Sequence, residues 1–146
     1  MAAVTGNRAT WTNIRSKIAA MGGVSSAVIG EPIKAMQSGV VAIIADNGRI
    51  DETTLGHARE IHVVTLRRYE NAFQESRDAI DTRLDEWRAQ IMSDIFGDFD
   101  LGGNIAYPLP TQCSWQYGWQ TVENTMYRLL DFTLAYRVDE RTAFVA

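Results

Sequence analysis

The clearest periodic pattern of hydrophobic positions in this chain lies between residues 75 and 96. Apolar side chains recur there at steps of four, three, four and four residues, and charged side chains occupy most positions between them. The apolar stripe consists of Ile80, Leu84, Trp87, Ile91 and Ile95. This spacing predicts a long helix with one face on a core, ending at Gly97.

A second, shorter helix is predicted over residues 8 to 21. Either Asn7 or Thr10 could cap its start, and Gly22-Gly23 is expected to stop it. Its apolar face consists of Trp11, Ile14, Ile18 and Met21. Both helices are therefore amphipathic and are expected to pack against another layer of the fold.

Three apolar segments between the helices predict strands. "SSAVIGEP" indicates a short strand followed by a turn, whereas residues 33 to 39 fit either one helical turn or a loop. "VVAIIAD", residues 40 to 46, is a continuous apolar run that predicts a central strand covered on both faces, and Asp46-Asn47-Gly48 predicts a turn after it. Residues 57 to 69 predict a second long strand, antiparallel to the first.

The last part of the chain alternates with a period of two. Over residues 111 to 120, one face carries Thr111, Cys113, Trp115, Tyr117 and Trp119. Over residues 126 to 138, one face carries Met126, Leu130, Phe132, Leu134, Tyr136 and Val138. With "VENT", residues 122 to 125, as a polar turn, residues 111 to 138 predict one long β-hairpin, whose second strand packs under the 75–96 helix.

The order of elements is therefore helix, two or three strands, long helix and hairpin. This order predicts an α+β fold, in which a mostly antiparallel sheet packs against two helices and ends in a long C-terminal β-hairpin. The chain has 146 residues, of which 46% are hydrophobic and 22% charged. These values fit one globular domain over residues 1–146.

Charge and cysteine content narrow the classes of function. The formal net charge is −4, which argues against a dedicated nucleic-acid binder, because such proteins neutralise phosphates with Lys and Arg. Cys113 is the only cysteine, so no intrachain disulfide or thiolate cluster is expected, and a reducing compartment fits best. The N-terminus lacks the apolar core of a signal peptide, and no apolar run approaches the ~18 residues of a membrane span. A soluble cytosolic protein is expected.

The sequence predicts no catalytic, cofactor-binding or metal site. It contains neither of the common phosphate-binding glycine motifs. His57 and His62 lie five apart in a predicted strand, so they should face opposite sides of the sheet and cannot share an ion. "GDFDLGGN", residues 97 to 104, suggests a calcium loop, but the twelfth position from Asp98 is Leu109, where that loop requires a carboxylate. Cys113 lies among aromatic residues without a neighbouring base, which is typical of a structural thiol.

Six residues are candidates for contacts with other proteins. Trp115, Tyr117 and Trp119 either cover the helix core or lie in an interface, where aromatic residues are enriched. Arg67 and Arg68 end a predicted strand before a polar linker, where they are either solvated or meet an acidic partner. Arg128 interrupts the apolar face of the last strand, which makes it a candidate subunit contact.

Several sequence segments in these predicted elements are distinctive. The N-terminal helix leads to a strand with Gly30-Glu31-Pro32, then to "GVVAIIAD" and to a strand ending "HVVTLRR". The long helix contains "LDEW" and "IMSDI", and the closing strand reads "LLDFTLAYRVDE". From about residue 8 to 140, the chain resembles the tail terminator proteins, a class of minor tail or tail-completion proteins of lambda-like long-tailed bacteriophages.

The resemblance implies a structural protein of the virion and not an enzyme. Tail terminators form a hexameric ring on the last ring of tail-tube protein, stop tube polymerisation and present a surface for head–tail joining. For this chain, the resemblance implies a homohexamer in the neck of the viral tail, assembled in the host cytoplasm. Its partners would be the tail-tube protein and the head-completion or connector protein. Genomic DNA would pass through the lumen without specific binding, which suits an acidic wall.

Two other interpretations remain open from the sequence. One is another neck or tail ring protein, either a head-completion protein or a tail-tube subunit that shares the ring plan. The other is a small-molecule-binding or enzymatic α+β domain with an aromatic pocket at Trp115, Tyr117 and Trp119. The first would differ in which assembly the protein joins, and the second would show specific stabilisation by a metabolite.

Overall fold

The computed structural model describes residues 8–54, 57–97 and 106–141. The helices are α1, Arg8–Ala19, and α2, Arg77–Asp94. The strands are β1, Ser26–Ile29; β2, Val40–Thr54; β3, His57–Asn71; β4, Ala106–Pro108; β5, Ser114–Val122; and β6, Thr125–Arg141. The predicted α+β fold, with two helices, a mostly antiparallel sheet and a C-terminal β-hairpin, is confirmed.

The six strands form one curled sheet. Its order is β1-β2-β3-β6-β4, and β5 also pairs with β6 on the side where β4 lies. Only the β1–β2 pair is parallel, while β2–β3, β3–β6, β4–β6 and β5–β6 are antiparallel. Among the described residues, β1 is thus the strand at one end of the sheet, and β4 and β5 both lie beside β6 at the other end.

Both helices pack on the same face of this sheet, which we call the helix face. Leu84, Trp87 and Ile91 of α2 and Ile14 and Ile18 of α1 share one buried cluster with side chains from β2, β3 and β6. Four β6 residues were predicted to lie under α2, and all four are fully buried in this cluster: Leu130, Phe132, Leu134 and Tyr136. The Tyr136 hydroxyl accepts a hydrogen bond from Trp11 Nε1 at 3.0 Å, so this residue contacts α1. Ser76 caps α2, because its side-chain oxygen accepts a hydrogen bond from the Ala79 N–H at 3.2 Å.

The opposite face of the sheet is partly covered by residues 30–38, which we call the strap. These residues connect β1 to β2 and form neither helix nor strand, which resolves the ambiguity of residues 33 to 39. The Tyr127 hydroxyl donates to the Met36 carbonyl and accepts from the Met36 N–H, both at 2.8 Å. The Glu123 carboxylate accepts from the Ala35 N–H at 3.1 Å. Beneath the strap, Tyr69, Tyr127 and their neighbours form a second, smaller buried cluster.

Two local predictions were wrong. Asp46-Asn47-Gly48 does not turn the chain, because β2 continues to Thr54 with a register shift between Ala45 and Asn47. Pairing with β3 outweighs the turn preference, and Asp46 forms a β-bulge instead. The hairpin does not begin at residue 111, because Pro110–Gln112 is a short 3-10 helix and β5 begins at Ser114.

The turn of the C-terminal hairpin was predicted correctly within residues 122 to 125. Val122 pairs with Thr125, and the two residues between them, Glu123 and Asn124, have φ values of 47° and 66°. Positive φ at both central residues is the mark of a type I′ turn, whose twist matches that of the flanking strands. The turn therefore fixes the register of β5 against β6.

Candidate protein-interaction surface along strand β5

Three exposed aromatic side chains lie together along β5. Trp115, Tyr117 and Trp119 alternate along this strand and expose 46%, 37% and 47% of their surface; we call these three residues the aromatic row. They project toward the helix face, since their β6 partners include the core residues Phe132 and Leu130. The Trp115 ring stacks on Phe132 at a centroid distance of 6.3 Å. The row thus caps the edge of the core while leaving much of each ring accessible.

Arginine side chains stack on the rings of the aromatic row. Arg88 of α2 lies 4.5 Å from the Trp115 ring centroid, and Arg77 of α2 lies 5.1 Å from that of Trp119. Arg128 of β6 lies between them, 4.7 Å from Trp119 and 5.3 Å from Tyr117. Such cation–π contacts hold the rings in fixed orientations. Trp, Tyr and Arg are also the residues that dominate binding energy in protein interfaces.

Arg128 has a structural partner that the sequence did not reveal. Its Nε donates to Asp81 Oδ1 of α2 at 2.9 Å, and its guanidinium also donates to the Gly118 carbonyl at 3.4 Å. The residue is 9% exposed. Its position on the apolar face is therefore explained by an ion pair that joins β6 to α2 beneath the aromatic row.

The outer edge of β5 carries backbone groups that no described strand uses. Val122 and Thr125 flank a two-residue turn, so they form a hydrogen-bonded pair, and such pairs alternate along an antiparallel ladder. The Ala72 N–H donates to the Met126 carbonyl on the other side of β6, in agreement with this alternation. The residues of β5 whose backbone groups point outward are therefore Trp115, Tyr117, Trp119 and Thr121.

Within the described ranges, β5 is a nine-residue strand with one unpaired edge, and such an edge is a ready template for pairing with another strand. Natural proteins usually protect such an edge with charges, proline or a covering segment. Strand β5 carries no charged residue and no proline between Ser114 and Val122. Exposed aromatic rings are enriched in protein interfaces, and a free strand edge is a known mode of peptide recognition, so this edge is a candidate interaction surface.

Arg67 lies on the opposite face of the sheet, away from the aromatic row. Its guanidinium makes two hydrogen bonds to the Asp131 carboxylate, at 2.7 and 3.0 Å, and one to Glu31 of the strap at 3.2 Å. The hydrogen bond to Asp131 is the main cause that raises the pKa of Arg67 above its ordinary value. These contacts place Arg67 in an intramolecular network that holds the strap, within a strand that continues to Asn71.

Arg68 is a core residue. The residue is only 1% exposed. Its Nη2 donates to Glu70 Oε1 at 2.8 Å and to the Gly23 carbonyl at 2.9 Å. It also lies 5.8 Å from the Trp87 ring centroid. Desolvation by burial lowers the pKa of Arg68, and the charge of Glu70 opposes that effect. Arg68 is therefore unable to meet another protein in this fold.

Sequence reasoning did not select Arg77, Asp81 and Arg88, which complete this surface from α2. They lie at positions 77, 81 and 88, the spacing of one helical side, but the sequence does not show which strand that side meets. These three residues could be assigned to the β5 surface only from the packing of α2 over the β5–β6 hairpin.

A second accessible apolar feature lies at the other end of the sheet. A groove of about 490 Å³ runs between β1 and the strap. Its lining includes Val28 of β1 and Ile33 and Met36 of the strap. Ile33 is 84% exposed and Val28 is 37% exposed.

No group of three His, Cys, Asp or Glu side chains that could hold an ion occurs within 8–54, 57–97 and 106–141. Burial raises the pKa of the Cys113 thiol, and this thiol donates to the Leu109 carbonyl at 3.2 Å. The loop considered for calcium lies, apart from Gly97, outside the described residues, as does the side chain of His57.

Comparison with known proteins does not assign the chain to a family: no protein-family model and no curated protein matches it. Neither described helix has the length and apolar character needed to cross a bilayer.

Proposed function

We propose that this protein is a structural subunit of a phage tail, a tail terminator that assembles as a hexameric ring. In this role it caps the tail tube, stops its polymerisation and provides the surface for joining the head. The proposal includes no catalytic step and no cofactor. The protein acts in the virion, at the neck, and genomic DNA passes through the ring without specific binding.

The observation that carries this proposal is the open, aromatic edge of β5. A ring requires a heterologous interface, in which two different patches of each subunit meet and close after a fixed rotation. The aromatic row and the groove beside β1 lie at opposite ends of one sheet, as two such patches must. The resemblance in the order of elements supports the choice of a tail terminator among ring proteins.

The charge of the chain also supports a ring through which DNA moves. With a net charge of −4, its surface repels phosphate on balance and does not hold DNA in place. The cations of the β5 surface are engaged with aromatic rings and carboxylates, as Arg128 is with Asp81. A lumen wall with these properties would allow passage without binding.

The direct test is a tube-capping experiment. Purified chain is added to polymerising tail-tube protein from the same phage, and tube lengths and ends are measured by negative-stain electron microscopy. The proposal predicts a ring on tube ends and tubes that stop growing. Trp115→Ser/Trp119→Ser should abolish capping, whereas Phe73→Ser should not, because Phe73 is 80% exposed but lies outside the β5 surface.

Each other outcome identifies a different function. Incorporation of the chain along the tube would indicate a tail-tube subunit, and binding only to the head connector would indicate a head-completion protein. A chain that remains monomeric and leaves tube length unchanged would refute the ring proposal.

A further inference from the structure

The sheet has two open ends whose backbone and side chains can complement each other. Strand β1 pairs with β2 only, and β5 pairs with β6 only, among the described residues. Adding β5 of one copy to β1 of another would continue the sheet from molecule to molecule. Each copy would contact one neighbour through β5 and the other neighbour through β1. Such a contact between two different surfaces is a head-to-tail contact.

The exposed apolar residues concentrate at these two ends. Nine large hydrophobic side chains in the described ranges are exposed, and five of them lie on β5 or on β1 and the strap. The nine are Val28, Ile33, Ile50, Phe73, Met92, Trp115, Tyr117, Trp119 and Met126. An even scatter of apolar residues would need no explanation, but this concentration marks both sheet ends as contact surfaces. The aromatic row lies on the helix face, and Val28 lies on the opposite face.

The charges of the two helices favour the same arrangement. Helix α1 packs on β1 and carries three basic residues and no acidic one. Helix α2 packs on β6 beside β5 and carries five acidic and three basic residues. Both helices lie on the helix face. A continued sheet with its helices on one side would therefore place the basic α1 of one copy beside the α2 of the next, where Asp81 and Asp85 accompany Arg77 and Arg88 along the side that borders β5.

A symmetric alternative is disfavoured by the same charges. Two β5 strands could pair antiparallel about Gly118, the middle residue of β5. That contact would bring α2 against a second α2, so that two helices with an excess of negative charge would be adjacent. Like charges in an interface select against a partner.

We infer that β5 of one copy of this chain pairs with β1 of the next copy, with α2 beside the neighbour's α1. This inference rests on the proposed ring and names the two edges that close it. The aromatic row forms the centre of the contact, against the neighbour's β1 and α1. The three rings together expose on the order of 300 Å², estimated from about 150–250 Å² for each fully buried aromatic side chain.

The exposed area of the three rings is enough for the centre of an interface but not for a complete interface. A stable interface buries about 800 Å² from each partner, so the rings supply roughly a third. The remainder would come from the paired strands and from the two helices. Such a composition, with a few central aromatic and arginine residues and a larger polar rim, is typical of specific protein contacts.

Cysteine cross-linking between differently labelled copies tests the pairing. In a Cys113→Ser background, Ser26→Cys marks β1 and Gln116→Cys marks β5. Both positions are exposed and point to the face opposite the helices, so continued strands would bring them onto one surface. The two variants are mixed, allowed to assemble and treated with a short bismaleimide, and the products are identified by mass spectrometry.

The expected product is a cross-link between the two different variants. Ser26→Cys mixed with Phe73→Cys serves as the matched control and should give several-fold less product, because Phe73 lies on neither edge. A cross-link of Gly118→Cys to itself, in the same Cys113→Ser background, would show the symmetric dimer and overturn the inference, because Gly118 lies at the centre of that pairing. Rings seen by electron microscopy without the mixed cross-link would also overturn it while leaving the ring proposal intact. Absence of any assembly in the unmodified chain would refute the proposed function itself.

Discussion

The buried ion pair between Arg68 and Glu70 should be the most sensitive polar feature of the fold. Both side chains are almost completely inaccessible, at 1% and 2% of their full exposure. Glu70 Oε1 accepts two hydrogen bonds from Arg68, at 2.8 and 3.1 Å, and Glu70 Oε2 lies 3.5 Å from Arg83 Nη1. Glu70→Gln keeps the shape of the side chain but leaves the Arg68 charge buried without its counter-ion.

The expected loss follows from the burial. Removing one partner of a buried ion pair lowers the free energy of unfolding by about 3–5 kcal/mol, because the remaining charge is not compensated. For a chain of this size, each kcal/mol lowers Tm by roughly 2–4 °C or somewhat more, so Tm should fall by about 10 °C. Arg68→Met/Glu70→Leu, which removes both charges, should recover most of the loss.

Urea unfolding followed by circular dichroism at one fixed protein concentration measures this effect. Concentration must be fixed because assembly contributes to apparent stability. Asp85→Asn is the matched control, since it breaks the more exposed Arg88–Asp85 pair at 2.9 Å and should lose no more than about 1 kcal/mol. A loss of less than about 1 kcal/mol in Glu70→Gln, equal to that of the control, would refute the assignment of a buried, coupled pair.

Four further predictions concern the turn, the edge and two buried groups. Asn124→Val should lower the free energy of unfolding by about 1–3 kcal/mol, since φ is 66° there, and Asn124→Gly should be tolerated; urea unfolding measures both. Tyr117→Pro should keep the monomer folded by circular dichroism but abolish assembly, since its N–H points outward; Gln116→Pro should also disturb folding, since its N–H pairs with β6. Burial raises the pKa of Tyr136 to about 12, so its contribution to stability should be complete below pH 10 and lost as pH rises from 10 through 12; a smaller alkaline loss in Tyr136→Phe would confirm this. Alkylation of Cys113 by iodoacetamide should be slower than that of a free thiol at every pH below 9, because burial raises the pKa of the Cys113 thiol; equal rates would contradict this.

Elements with a strong local pattern were predictable from the sequence. The stripe from Ile80 to Ile95 identified α2, because burial of one helical face imposes a period near 3.6 on the chain. The alternation on both sides of residues 122 to 125 identified the β5–β6 hairpin, because a half-buried strand imposes a period of two. Both patterns depend only on neighbours along the chain.

Features that depend on distant partners were not predictable. Arg128 meets Asp81, 47 positions away, and the strap is held by Tyr127, 91 positions from Met36. No periodicity marks such contacts, because the two partners belong to different elements. The bulge at Asp46 was missed for the same reason: a local turn preference was weighed without the pairing with β3 that overrides it.

The candidate surface was predictable only in part. Trp115, Tyr117 and Trp119 were selected because three aromatic residues share one face of a strand, and they do lie together on an exposed row. Arg67 and Arg68 were selected from their position beside a polar linker, and both engage partners within the chain. Sequence shows which side chains share a face, but not what lies opposite that face.

The measurement that tests the central claim most directly is the mass of the purified chain by light scattering, over a range of concentrations, for the unmodified chain and for Tyr117→Lys. A hexamer of the 16.3 kDa chain would weigh about 98 kDa. The ring account predicts a species near this mass that grows with concentration, and its loss in Tyr117→Lys but not in Phe73→Lys, because Phe73 is exposed and lies outside the β5 surface. A mass of 16.3 kDa at every concentration, or a dimer that does not grow further, would contradict it.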